Sequence, residues 1–245
     1  MSRWQQVCGF FRFDLLETLR LWQISLFSVA LTAFYYVMLL EVMPRSDRGE
    51  LTVAFVILAV LGVTMFQFSA RVSYERINPW NSFVRTLPAP LWVKFGSRFL
   101  LVLLIASCAS TVLVAVGIVR FGLEFDATTI VTIVAAVPIA AAVFAPMGAC
   151  IGGTLDPRQT PAVITILYLS TAWSSGLWTG GHAPQFLDPV GFLLPLSAIR
   201  NLATAIAEGD WVAVPLTTVV AGTWMVGATT LARRIYQREE SQTFT

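Results

Sequence analysis

Apolar and polar residues follow one another along this chain in long blocks. Six apolar runs stand out: Leu21 to Leu40, Leu51 to Ala70, the stretch between Arg98 and Arg120, and the stretch between Asp126 and Asp156; a fifth starts after Arg158 and fades near Trp178, and the last goes from Trp211 to Ala232. Each reaches the roughly 20 residues with which a helix crosses about 30 Å of hydrocarbon. The pattern predicts an all-α, polytopic membrane protein with six transmembrane helices, one transmembrane domain over residues 1–245. The fourth run, and the fifth if continued to Asp188, are longer than one crossing needs. They are expected to tilt, break, or continue as surface or re-entrant segments.

Three mixed stretches lie between or beside the runs. In residues 1–21, Trp4, Val7, Cys8, Phe11, Leu15 and Leu19 recur at helical spacing, with Arg3, Gln5, Gln6, Arg12 and Asp14 largely elsewhere. This predicts an N-terminal interfacial helix over residues 1–20, serving as a membrane-surface anchor or as a docking helix. No apolar core with a small-residue cleavage site follows the start, so a cleavable signal is not expected.

The stretch from Arg71 to Arg98 carries Arg71, Arg76, Arg85, Lys94 and Arg98 against the single acid Glu75. Ile77, Trp80, Val84 and Leu87 fall at steps of three and four, Asn78 can cap a helix begun by Pro79, and Leu87-Pro88-Ala89-Pro90 ends it. A basic amphipathic helix on the cytoplasmic face is predicted there. The third stretch, Gly176 to Asn201, is rich in Gly, Pro and aromatics, and Phe192 to Leu196 is too apolar to face water. Pro184, Pro189 and Pro195 forbid one continuous helix, which predicts extracytoplasmic re-entrant helices over residues 176–207.

Composition agrees. Hydrophobic residues make up 56% of the 245 and charged ones 12%, where a soluble domain carries about a quarter charged. In the six-span reading, twelve of the 16 Lys and Arg fall on the side that holds both termini and the Arg71–Arg98 stretch. The positive-inside rule therefore places that side in the cytoplasm. The acids Glu41, Asp47, Glu50, Glu124, Asp126, Asp188, Glu208 and Asp210 lie on the other side, and Trp173, Trp178 and Trp211 mark its interface. A seventh crossing would carry Arg233, Arg234 and Arg238 outside, against that rule.

No Asp, Glu, Lys, Arg or His lies near the middle of any run. Ion-coupled carriers place such groups there, so their lack counts against an ion-driven pump. Sodium sites built from backbone carbonyls remain open to it. The fourth run holds Pro138 and Pro146, then Gly148, Gly152 and Gly153, which fit a kinked or moving gate and equally fit close helix packing. Cys8, Cys108 and Cys150 have no metal-ligand spacing, and His182 is the only histidine.

Enzyme signatures are missing. A Walker loop needs Lys between Gly and Ser or Thr, whereas the one lysine, Lys94, sits between Val93 and Phe95. Neither Gly-x-Ser-x-Gly nor His-Glu-x-x-His occurs, and no cofactor in this chain is expected. Nucleic acid is not an expected partner, since membrane topology already accounts for the basic residues.

In order, the chain shows an N-terminal interfacial helix, an apolar run that ends in Tyr74-Glu75-Arg76, then Arg85-Thr86-Leu87-Pro88, then Lys94 entering the next run, and Leu194-Pro195 before the last. That combination resembles the membrane subunit, or permease, of type-2 ABC transporters. Pro79 and Trp80 stand where the family more often has Gly-Thr.

The resemblance implies a permease, mostly of export type, that pairs with a second permease chain, the same or homologous, around a path between them. Two copies of a cytoplasmic ABC ATPase would bind the ATP and Mg and push the Arg71–Leu87 helix and the N-terminal helix. Glu75, Arg76, Trp80, Phe83, Val84 and Arg85 would meet the ATPase, and Pro138, Pro146 and Pro195 would kink or gate the path. Apolar spans fit an amphipathic, lipid-like or drug-like cargo and a prokaryotic cytoplasmic membrane. An ATP-independent channel or carrier, or a non-transporting scaffold subunit, is the alternative.

Overall fold

A computed structural model describes residues 3–20, 22–44, 48–77, 91–177 and 191–243. The described residues form eight α-helices and no strand: α1 Arg3–Arg20, α2 Trp22–Val42, α3 Arg48–Ile77, α4 Leu91–Phe121, α5 Ala127–Thr154, α6 Thr160–Ser174, α7 Pro195–Glu208 and α8 Val214–Thr243.

Between Leu51 and Ala70 helix α3 is apolar all round, as a helix is that sits in a protein core or crosses a membrane. Every residue from Leu51 to Ser69 is buried, under α2, α4, α5, α6 and α7. Its closest neighbour is α5. A Cβ at Gly152 would stand 2.5 Å from the Ser69 carbonyl oxygen, and one at Gly148 would stand 3.0 Å from Phe68 Cβ. Glycine at these two positions lets the backbones meet, and the Ser69 hydroxyl donates to the Gly148 carbonyl at 2.8 Å.

Two buried tyrosines tie the outer helices to α3. The Tyr168 ring of α6 lies over Gly62, and its hydroxyl sits 2.7 Å from that of Thr32 on α2. The Tyr36 hydroxyl of α2 is 2.9 Å from Thr52 Oγ1. Because Thr52 already donates to the Arg48 carbonyl, Tyr36 is the donor of that pair.

The number of spans is corrected by these elements. Among the described residues, four helices are long and apolar enough to cross a membrane, not six: Arg48–Ile77, Phe95–Phe121, Ala127–Thr154 and Val214–Arg238. They correspond to the second, third, fourth and sixth apolar runs. The fifth run becomes α6, whose 15 residues extend about 22 Å at 1.5 Å per residue, short of the hydrocarbon thickness. The first run gives α2, Trp22–Val42, of which the stretch Val29–Val42 counts as a shorter apolar helix among the described residues.

Other expectations also change. The long fourth run stays one unbroken 28-residue helix, α5, with Pro138 and Pro146 inside it. Residues from Arg71 to Ile77, read as the start of a surface helix, are the last turns of α3, and residues 91–98 open α4. Residues 78–90 lie outside the described residues. So do residues 178–190, with His182, Pro184 and Pro189 among them; the later part of that stretch is α7. Pro195 begins α7, and Gly209, at φ 73°, ends it. The inward face of α7 carries Leu196, Ile199, Leu202 and Ala203.

Candidate functional site

Chemically distinctive side chains gather where α1 meets the end of α3 and the start of α4. Asp14 of α1 is buried, and its Oδ1 accepts from Arg71 Nη1 at 2.8 Å. Arg71 Nη2 donates to the Asp14 carbonyl at 2.7 Å and also to Thr18 Oγ1. Thr18 in turn donates to the Asp14 carbonyl at 2.8 Å, the usual i−4 bond of a helical threonine. From α4, the Ser97 hydroxyl donates to Asp14 Oδ2 at 3.1 Å. One carboxylate thereby joins three helices.

Burial pushes the Asp14 carboxyl up from its ordinary value of 3.8, while Arg71, Arg98 and the Ser97 hydroxyl pull it back. Next to it Arg98, itself buried, forms an ion pair with Glu75. Arg98 Nη1 is buried with no hydrogen-bond partner among the described residues. Arg76, one position on from Glu75, is exposed and reaches the Leu155 carbonyl at 3.3 Å, which links α3 to the end of α5. Tyr236 of α8 packs edge-on against Phe95 at 5.0 Å, so the C-terminal helix ends at this same pole.

The predicted site residues divide as follows. Glu75 is turned toward Arg98, and Arg76 stays exposed beside it. Trp80, Phe83, Val84 and Arg85 lie outside the described residues. Pro138 is exposed on α5, Pro146 is half-buried, and Pro195 is buried at the first turn of α7. Sequence reasoning missed Asp14, Thr18, Ser97 and the inward role of Arg71. The one local signal was the spacing of Val7, Asp14 and Thr18 along a single face of α1.

The opposite pole is plainer. Glu41 and Arg120 pair at 2.8 Å, both more than half exposed. Arg200 of α7 donates to the Ser175 carbonyl at 2.6 Å, and burial lowers its guanidinium from the ordinary value, with Glu50 pulling it back. Between α5 and α7 lies a small apolar cavity of about 40 Å³ beside Thr132, Ala135, Ile199 and Leu202. The Thr132 hydroxyl is buried without a partner among the described residues. No group of three or more His, Cys, Asp or Glu among the described residues is placed to hold a metal ion.

An enclosed apolar helix, three further membrane-length helices with exposed apolar side chains, and charge gathered at the poles define a polytopic, mostly helical integral membrane protein. A scan against protein-family models finds no match, and a search of curated proteins finds none either.

Proposed function

We propose that this chain is the membrane subunit of an ATP-driven exporter of the type-2 ABC kind. It would act beside a second permease chain, on an amphipathic, lipid-like or drug-like cargo, with ATP bound by a separate cytoplasmic ATPase. The observation that carries the reading is the pole built on Asp14, Arg71, Ser97, Glu75 and Arg98. Residues 78–90 join the two helices that this network ties together, α3 and α4, and α1 is bonded to both. A push on that connection would move three helices as one body, which is what a mechanically driven subunit needs.

Charge placement supports an orientation. Arg71, Arg76, Arg98, Arg158, Arg233 and Arg234 belong to this pole, while Arg48, Arg120 and Arg200 belong to the other. By the positive-inside rule the first pole, with α1 and the end of α8, faces the cytoplasm, in a prokaryotic cytoplasmic membrane.

Reconstitution tests the proposal. The purified chain alone in proteoliposomes is expected to hydrolyse no ATP and to move no amphipathic fluorescent lipid. Adding the ATPase that co-purifies with it restores both, and changing that ATPase's P-loop lysine abolishes both. ATP hydrolysis by this chain alone, or equal flux without ATP, overturns the reading in favour of an enzyme or an ATP-independent carrier.

A further inference from the structure

Thr132 is out of step with most helical threonines of this chain. Thr64, Thr165, Thr171, Thr223 and Thr229 each donate their hydroxyl to the carbonyl four residues back. Thr132 makes no such bond: its hydroxyl is buried without a partner among the described residues, and the residue is 3% exposed. A buried hydroxyl left unpaired is costly. Thr132 lies on the wall of the cavity of about 40 Å³ between α5 and α7, where every other described side chain is Val, Ala, Ile or Leu. A water molecule needs about two to four polar partners to settle in such a space, and this wall offers one. The space suits an apolar group that carries a single acceptor.

We infer that this cavity is a site for one ester-linked acyl chain of a bilayer phospholipid. The ester carbonyl accepts from the Thr132 hydroxyl, and the first carbons of the chain fill the space against Ala135, Leu202 and Ala203. Depth identifies the occupant. Helix α5 is one of the membrane-length helices, and its 28 residues extend about 42 Å, close to the ~40–45 Å of a bilayer with its headgroups. Thr132 stands about 8 Å in from Ala127, the first residue of α5, and hydrocarbon begins roughly 5–8 Å below the headgroup surface. Acyl ester carbonyls lie at that boundary and bring no donor of their own. The cavity is also within reach of lipid: Val131 and Ile139, which flank it along α5, are 64% and 37% exposed, and half-buried Ala135 leaves the gap between them. The inference depends neither on the transport reading nor on which pole faces the cytoplasm, since both leaflets carry the same esters.

Lipid-dependent stability tests it. The full chain, purified in detergent, is titrated with diacyl phosphatidylcholine and separately with dialkyl phosphatidylcholine, in which ether oxygens replace the ester carbonyls. Wild type is expected to bind the diacyl lipid roughly fivefold more tightly, the worth of one ordinary hydrogen bond, read from the rise in Tm with lipid concentration. Thr132→Val keeps the shape and removes the donor. This variant should bind the two lipids alike and be no less stable than wild type in detergent alone. Ala135→Leu, which fills the cavity from a half-buried position, should weaken the binding of both lipids. A diacyl preference that persists unchanged in Thr132→Val overturns the inference. Equal binding of both lipids by wild type does so too, leaving only a general lipid solvent around the bundle. A loss of stability in Thr132→Val without any lipid overturns it in favour of a partner for the hydroxyl within the chain itself.

Discussion

Asp14 carries its charge where burial works against it. Its two oxygens are used by Arg71 and Ser97, and both members of the ion pair are largely shielded from water. Removing one partner of such a pair leaves an uncompensated charge, so Asp14→Ala is expected to cost about 3 kcal/mol, seen as a fall in Tm in detergent. Glu17, 3.5 Å from Arg71, recovers part of the loss. Asp14→Asn keeps an acceptor and costs less.

The pH dependence follows from the raised Asp14 carboxyl. Between the unfolded value of 3.8 and its higher folded value, the folded chain holds a proton that the unfolded chain releases. This contribution to stability is full below the unfolded value and is lost as pH rises through the folded one. Wild type should therefore gain stability relative to Asp14→Asn on acidification toward pH ~4, and parallel profiles for the two proteins would contradict this assignment. The partners of Asp14 were not legible from periodicity, which placed it on one face of α1 with Val7 and Thr18 and no more. Asp14 and Arg71 are 57 positions apart, and Asp14 and Ser97 are 83 apart. Glu75 and Arg76 were noticed as a charged pair, but only the packed helices reveal that Glu75 serves Arg98.

At the scale of the helix, the glycines of α5 and α8 separate contact from composition. Gly152 lies so close to Ser69 that an added methyl must push α3 and α5 apart. Gly152→Ala should cost about 1–3 kcal/mol through overpacking. A Cβ added at Gly227 of α8 would meet nothing within 4 Å, so Gly227→Ala should be neutral or gain up to about 1 kcal/mol from helix propensity. Thermal unfolding of the two variants side by side checks this; equal losses would mean that the α3–α5 contact is not as close as described.

Long apolar runs were readable because length and apolarity are local properties. The fifth was over-read: counting apolar residues ignored the Ser174-Ser175-Gly176 stop, where Gly176 turns at φ 75° and ends the helix. Pro138 and Pro146 drew attention as a kink or break, or as a gate; the helix runs through both without a break.

Across the whole molecule, the two poles differ in kind. One is held by shielded ion pairs that join α1, α3 and α4. The other carries an exposed Glu41–Arg120 pair, of the sort that contributes little to stability. A membrane protein with cationic residues gathered at one pole was legible in the sequence. The enclosure of α3 was not, because apolar composition alone does not say which helix the others surround. Drive by a cytoplasmic ATPase requires the Asp14 pole to face the cytoplasm. Impermeant thiol labelling in intact cells tests that most directly, with single cysteines replacing Arg158, between α5 and α6, and Glu124, between α4 and α5; both are exposed and lie at opposite poles. With the three native cysteines removed, Glu124→Cys should react from outside and Arg158→Cys only after the membrane is opened. Reaction of Arg158→Cys in intact cells, with Glu124→Cys protected, would contradict the account.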